Sequence, residues 1–140
     1  MPRADFYLIA KDRFRDDPLL LVCELARRAF DSGQFCAILA RDAAEAEQLD
    51  EKLWSFDEDA YVAHQLAGDE DDANTPVLIV SPEQVTPDRP LLINLRDACP
   101  TTPFQRVLEV VPADPAAREG SRTRWREYQQ RGFELKKFDM

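Results

Sequence analysis

Glycine is scarce in this 140-residue chain, which has only Gly33, Gly68, Gly120 and Gly132. Loops that cradle phosphates need glycine so that backbone N–H groups can approach the anion closely. None of the four stands in the turn after the first apolar segment, which reads Lys11-Asp12-Arg13-Phe14-Arg15-Asp16-Asp17 with neither GxGxxG nor GxxxxGK[ST]. A nucleotide-dependent activity therefore has no motif to rest on. Histidine is nearly absent, with His64 alone, so zinc held by a Cys/His cluster is not expected. The three cysteines, Cys23, Cys36 and Cys99, are odd in number and lack CxxC spacing. They read as buried thiols in a reducing compartment. No cysteine sits in a recognisable nucleophile turn that His64 could serve. The acidic run at residues 69–72 lacks the alternating ligands of a calcium loop and reads as a solvated turn. The sequence thus assigns no catalytic, cofactor-binding or metal-ligating residue. Long apolar runs are missing too: residues 19–23 and 76–80 fall far short of the ~20 a membrane helix needs. Arg3, Asp5, Lys11, Asp12 and Arg13 break up any apolar leader, so a cytoplasmic location is expected. Positive charge is in deficit, 18 Lys and Arg against 27 Asp and Glu, for a net charge of -9. Such a chain repels phosphate backbones, which disfavours wrapping duplex DNA over a large surface.

What the chain does have is alternation of short apolar runs with helical patterns. Its length suits a single domain spanning residues 1–140. Residues 5–10 (DFYLIA), 35–40 (FCAILA), 76–81 (PVLIVS), 91–95 (LLINL) and 104–111 (FQRVLEVV) read as buried strands. Asp16-Asp17-Pro18 opens a helix whose inner positions are Val22, Leu25, Ala26 and Ala29, with Gly33 as its stop. Asp42 and Glu45 form a capping-box-like pair before a second helix facing inward with Ala46, Leu49 and Leu53. Asp114-Pro115 begins a last helix that runs to about Arg131 and stops at Gly132, after which residues 133–138 suit an edge strand. The order predicts an α/β fold: a mostly parallel twisted sheet flanked by helices, with right-handed crossovers. It resembles a mononucleotide- or dinucleotide-binding fold without the Gly-rich phosphate loop.

Two features stand out for function. Residues 113–140 carry 7 basic and 5 acidic side chains inside an acidic chain. On the last helix Arg118, Arg122, Arg126 and Gln129 share a sector, with Trp125 at its edge beside Ser121 and Tyr128. Guanidinium groups next to an aromatic ring suit an acidic peptide with an apolar anchor, or a terminal carboxylate. They would equally suit a single nucleic-acid strand stacked on Trp125, and the plainer reading is a solvated helix whose Trp faces the core. A ~8 Å Debye length lets such a stripe attract a short acidic segment despite the overall charge. The second feature is Trp54, Phe56, Tyr61 and Leu66 at and beyond the end of the second helix. Exposed together, they would anchor a protein interface; otherwise they cap the sheet edge.

The motifs FYLI, LLLVCELARRAFDSGQFCAILARD, LDEKLWSF, AHQLAGDE, LLINL and RTRWREYQQRGFEL, in this order and spacing, resemble the chi-subunit family of bacterial DNA polymerase III across nearly the whole chain. The resemblance implies a clamp-loader accessory subunit without catalysis or cofactor of its own. It implies two partners: the psi subunit and the acidic C-terminal tail of single-stranded DNA-binding protein. In some bacteria an iron–sulfur helicase competes with psi. DNA contact would be mostly indirect, no membrane is involved, and the subunit alone is expected to be monomeric. Carried onto this chain, the tail-binding positions fall on Arg118, Arg122, Trp125 and Arg126, with Val111 nearby. Two of these arginines replace family lysines, and Trp125 replaces a tyrosine. The psi-facing positions fall on Trp54, Tyr61, Ala63 and His64, together with Leu66. Here Ala63 stands for a proline and Tyr61 for a phenylalanine. The alternatives are direct single-strand binding, a helicase adaptor or a nucleotide-dependent enzyme.

Overall fold

The computed structural model of the chain describes residues 2–140, which place seven strands in one parallel sheet. In chain order the elements are β1 (Arg3–Leu8), α1 (Asp12–Arg15), α2 (Pro18–Asp31), β2 (Cys36–Leu39), α3 (Ala43–Ser55), β3 (His64–Leu66), β4 (Val77–Val80), β5 (Leu91–Asn94), β6 (Arg106–Val111), α4 (Pro115–Gln130) and β7 (Glu134–Asp139). The spatial order is β3-β4-β2-β5-β6-β1-β7, and every pairing is parallel. From β1 through α2 to β2 the chain moves one way across the sheet; from β6 through α4 to β7 it moves the other way. Crossovers of one hand running in opposite directions put their helices on opposite faces. Accordingly α2 and α3 bury Val22, Leu25, Leu49 and Leu53 against one face. On the other face Tyr128 of α4 is buried with Phe6, Leu92 and Val107.

Local sequence explains the element ends. The Asp42 side chain accepts the Glu45 N–H at 2.7 Å and caps α3, a contact worth about 1 kcal/mol. Glu45 does not close the expected reciprocal box: its carboxylate accepts from the N–H of Arg41, one residue earlier. Asp114 caps α4 through the Ala116 N–H, and Pro18 and Pro115 occupy first turns, where a missing N–H costs nothing. Gly33 and Gly132 end α2 and α4 with φ of 75° and 82°.

Four expectations change in the structure. β1 starts two residues early because Asp5, charged yet fully buried, belongs inside the strand: it accepts from Arg3 at 2.9 and 2.8 Å and from Arg106 at 2.7 Å. Residues 64–66, read only as part of an interface segment, form the edge strand β3, and the turn after β1 coils into α1. Residues 72–74 of the acidic run add a short 3-10 turn, held where the Asp72 carboxylate accepts from the N–H groups of Gly68 and Asp69. The Pro-rich β4–β5 connection carries no helix. Its buried Arg89 fixes it instead, donating to the carbonyls of Cys36, Asp72, Thr75 and Pro76. Among the described residues no helix is long and apolar enough to cross a membrane.

Candidate functional site

The inner stripe of α4 is Ser121, Arg124 and Tyr128, all buried at spacings of three and four. Arg124 Nε and the Tyr128 hydroxyl donate to fully buried Glu109 at 2.8 and 2.6 Å, and Asn94 Nδ2 adds a third bond at 2.8 Å. Burial pushes the Glu109 carboxyl up, against the opposing pull of the Arg124 charge and these bonds. This network fixes the rotation of α4. One step round the helix, Arg118, Arg122 and Trp125 then face the exposed end of the sheet. The Trp125 ring packs edge-on against Phe6 with centroids 5.1 Å apart, leaving the indole half-buried.

These side chains line a cavity of about 400 Å³ between α4, β1 and β7. Phe6 and Leu8 supply apolar surface, Trp125 and Ser121 continue it, and Arg118, Arg122 and Lys137 bring cations. The Arg118 guanidinium is held by the carbonyls of Ile9 and Pro112 at 2.6 and 3.3 Å. Arg122, Arg126 and Lys137 have no carboxylate partner among the described residues. The cavity can therefore take an apolar group and an anion together. Arg126 is exposed outside the cavity lining, and Val111, opposite Leu8 in β6, is fully buried beneath the apolar layer. Phe6, Leu8 and Lys137 were missed in the sequence because their neighbours across the sheet are not local.

A second surface lies at the β3 edge. Trp54 and Tyr61 are 62% and 65% exposed, with ring centroids 6.4 Å apart, and Leu66 is exposed in β3. Phe30 of α2 supports Tyr61 edge-on at 6.2 Å. His64 lies under Trp54 at 4.7 Å with its side chain enclosed; its ring nitrogens sit 2.7 Å from the Val62 carbonyl and 3.1 Å from that of Asp50. His64 thus shapes the patch from below, while Ala63 is half-buried at its margin.

At the carboxyl ends of β2 and β4, Arg96 donates to the carbonyls of Ala40 and Val80, both at 2.9 Å. Burial pushes the Cys23, Cys36 and Cys99 thiols up to about 12, so none is a nucleophile at neutral pH. Among the described residues no group of three His, Cys, Asp or Glu side chains could hold a metal ion.

The fold superposes on T4 UvsW with a TM-score of 0.63 over 99% of this chain and 41% of that longer one, at 8% identity, which bears on fold alone. DNA polymerase III subunit chi of Pseudomonas aeruginosa is 37% identical over 140 residues, covering 96% of this chain and 94% of that protein. The chi subunit of Escherichia coli is 33% identical over 141 residues, covering 96% of each. The family model described as DNA polymerase III chi subunit, HolC, matches residues 1–136. The chain belongs to the DNA polymerase III chi subunit family and is an accessory component of the replicative polymerase.

Proposed function

We propose that this subunit works in the cytoplasm as a non-catalytic adaptor, holding the acidic C-terminal tail of single-stranded DNA-binding protein in the α4–β7 cavity and the psi subunit on the Trp54–Tyr61 surface. The observation that carries the reading is a cavity with an apolar lining and cations free of internal carboxylates. A peptide ending in an apolar residue after several acids matches both halves of it. The exposed aromatic pair gives the second partner a rigid anchor of the kind that dominates protein interfaces. An iron–sulfur helicase would compete for that same anchor.

The test is a titration with a synthetic peptide copying the tail, following Trp125 fluorescence in a Trp54→Phe background. Arg122→Ala removes one charge-assisted pair and is expected to weaken binding by about 1.5–3 kcal/mol, while psi binding, measured for Arg122→Ala with Trp54 intact, stays unchanged. Raised salt should weaken the peptide complex as well. A peptide that binds Arg122→Ala as tightly as the unmodified protein would refute the tail site. Direct single-strand binding along α4 would instead give oligonucleotide affinity with a steep salt slope and no need of the tail.

A further inference from the structure

β7 pairs with β1 in the register Phe6↔Lys137 and Tyr7↔Phe138. Side chains alternate along a strand, so Lys137 shares the α4 face with Phe6, whereas Lys136 and Phe138 share the opposite face. The second half of that statement is visible directly, since the Phe138 ring stacks on Tyr7 at 5.1 Å. Lys137 lines the cavity with Arg122 and Trp125, and it comes from an edge strand with β1 as its sole neighbour among the described residues. The ammonium has no carboxylate within 4.0 Å among the described residues, and a long apolar stem lets such a head reach the rim while the stem lies on apolar surface. The cavity therefore has cations on two sides: Arg118 and Arg122 from the helix, Lys137 from the strand.

We propose that Lys137 is a binding residue of this cavity, pairing with an anionic group of the tail peptide on the side opposite Arg122 and making β7 part of the recognition surface. The assignment rests on the tail reading above. An acidic peptide with a free C-terminus presents several carboxylates, so cations on both sides can be satisfied by one ligand, and a peptide gripped from two sides is fixed in direction.

Lys136 provides an internal control, because Lys136→Ala and Lys137→Ala remove the same charge from adjacent positions of one exposed strand. In the tail-peptide titration Lys137→Ala is expected to weaken binding about threefold to fivefold, the upper part of the range of a single exposed ion pair. Lys136→Ala should stay within about twofold of the unmodified protein, and Lys137→Arg should restore most of the affinity. Thermal unfolding of each variant checks that the strand is intact. Equal losses at 136 and 137 would overturn the assignment in favour of a general field. Loss of binding in Arg122→Ala with none in Lys137→Ala would overturn it while leaving the tail site standing. An unmodified protein that ignores the peptide would refute the tail reading, and the assignment with it.

Discussion

Arg124 and Arg122 stand two positions apart on α4 and face different surroundings. Arg124 is ion-paired at 2.8 Å with Glu109, which has no solvent exposure; Arg122 is exposed at the cavity. Removing one partner of a buried pair leaves the other charge uncompensated, at a cost of about 3–5 kcal/mol. Arg124→Ala is therefore expected to lower the melting temperature by roughly 10–20 °C, whereas Arg122→Ala should leave it within a degree or two. Urea or thermal unfolding of the two variants checks this, and similar melting temperatures would show that the Glu109 network is not what orients α4. In the sequence these arginines look alike. Helical spacing separates their directions, but only the buried acid on β6 shows which of them is structural.

At the level of elements, β7 depends on the turn before it. Gly132 takes φ of 82° with no atom within 4 Å of where a Cβ would stand, so a side chain there would be opposed by backbone conformation alone. Gly132→Ala should cost about 1–2 kcal/mol and loosen the α4–β7 connection; amide hydrogen exchange is expected to speed up in β7 before the other strands. Uniform acceleration through the sheet would contradict that. The central strands were legible because parallel strands buried on both faces read as unbroken apolar runs, as at 36–39, 77–80 and 91–94. Helix starts were legible from Asp42, Asp114 and the prolines. β3 was not, since three residues, His64-Gln65-Leu66, with two polar side chains and an exposed leucine, carry no such run. Half of the α4–β7 cavity was legible as the face of α4. The other half, Phe6, Leu8 and Lys137, depends on a register between strands about 130 positions apart, which no local pattern encodes.

Across the whole molecule, β3 and β7 are opposite edges of the sheet, and six strand spacings of ~4.8 Å put them about 29 Å apart. Charge follows the same division. Residues 42–72 hold 12 acidic side chains and a single Lys, while the last 28 residues are net positive. Sites this far apart should act independently. Trp54→Ala is thus expected to abolish a psi complex on gel filtration while leaving tail-peptide affinity within about twofold, and a joint loss would point to coupling through the sheet. The strand order also bears on synthesis. β1 is synthesised about 100 residues before β6 and β7, the strands that flank it, with Arg3 opposite Arg106 and Glu134. Phe6 and Leu8 therefore wait for nearly the whole chain before they gain their neighbours. A product lacking β7 would leave β1 as an open sheet edge and strip Lys137 from the cavity rim, so the last strand closes both the sheet and the cation-lined side of the cavity.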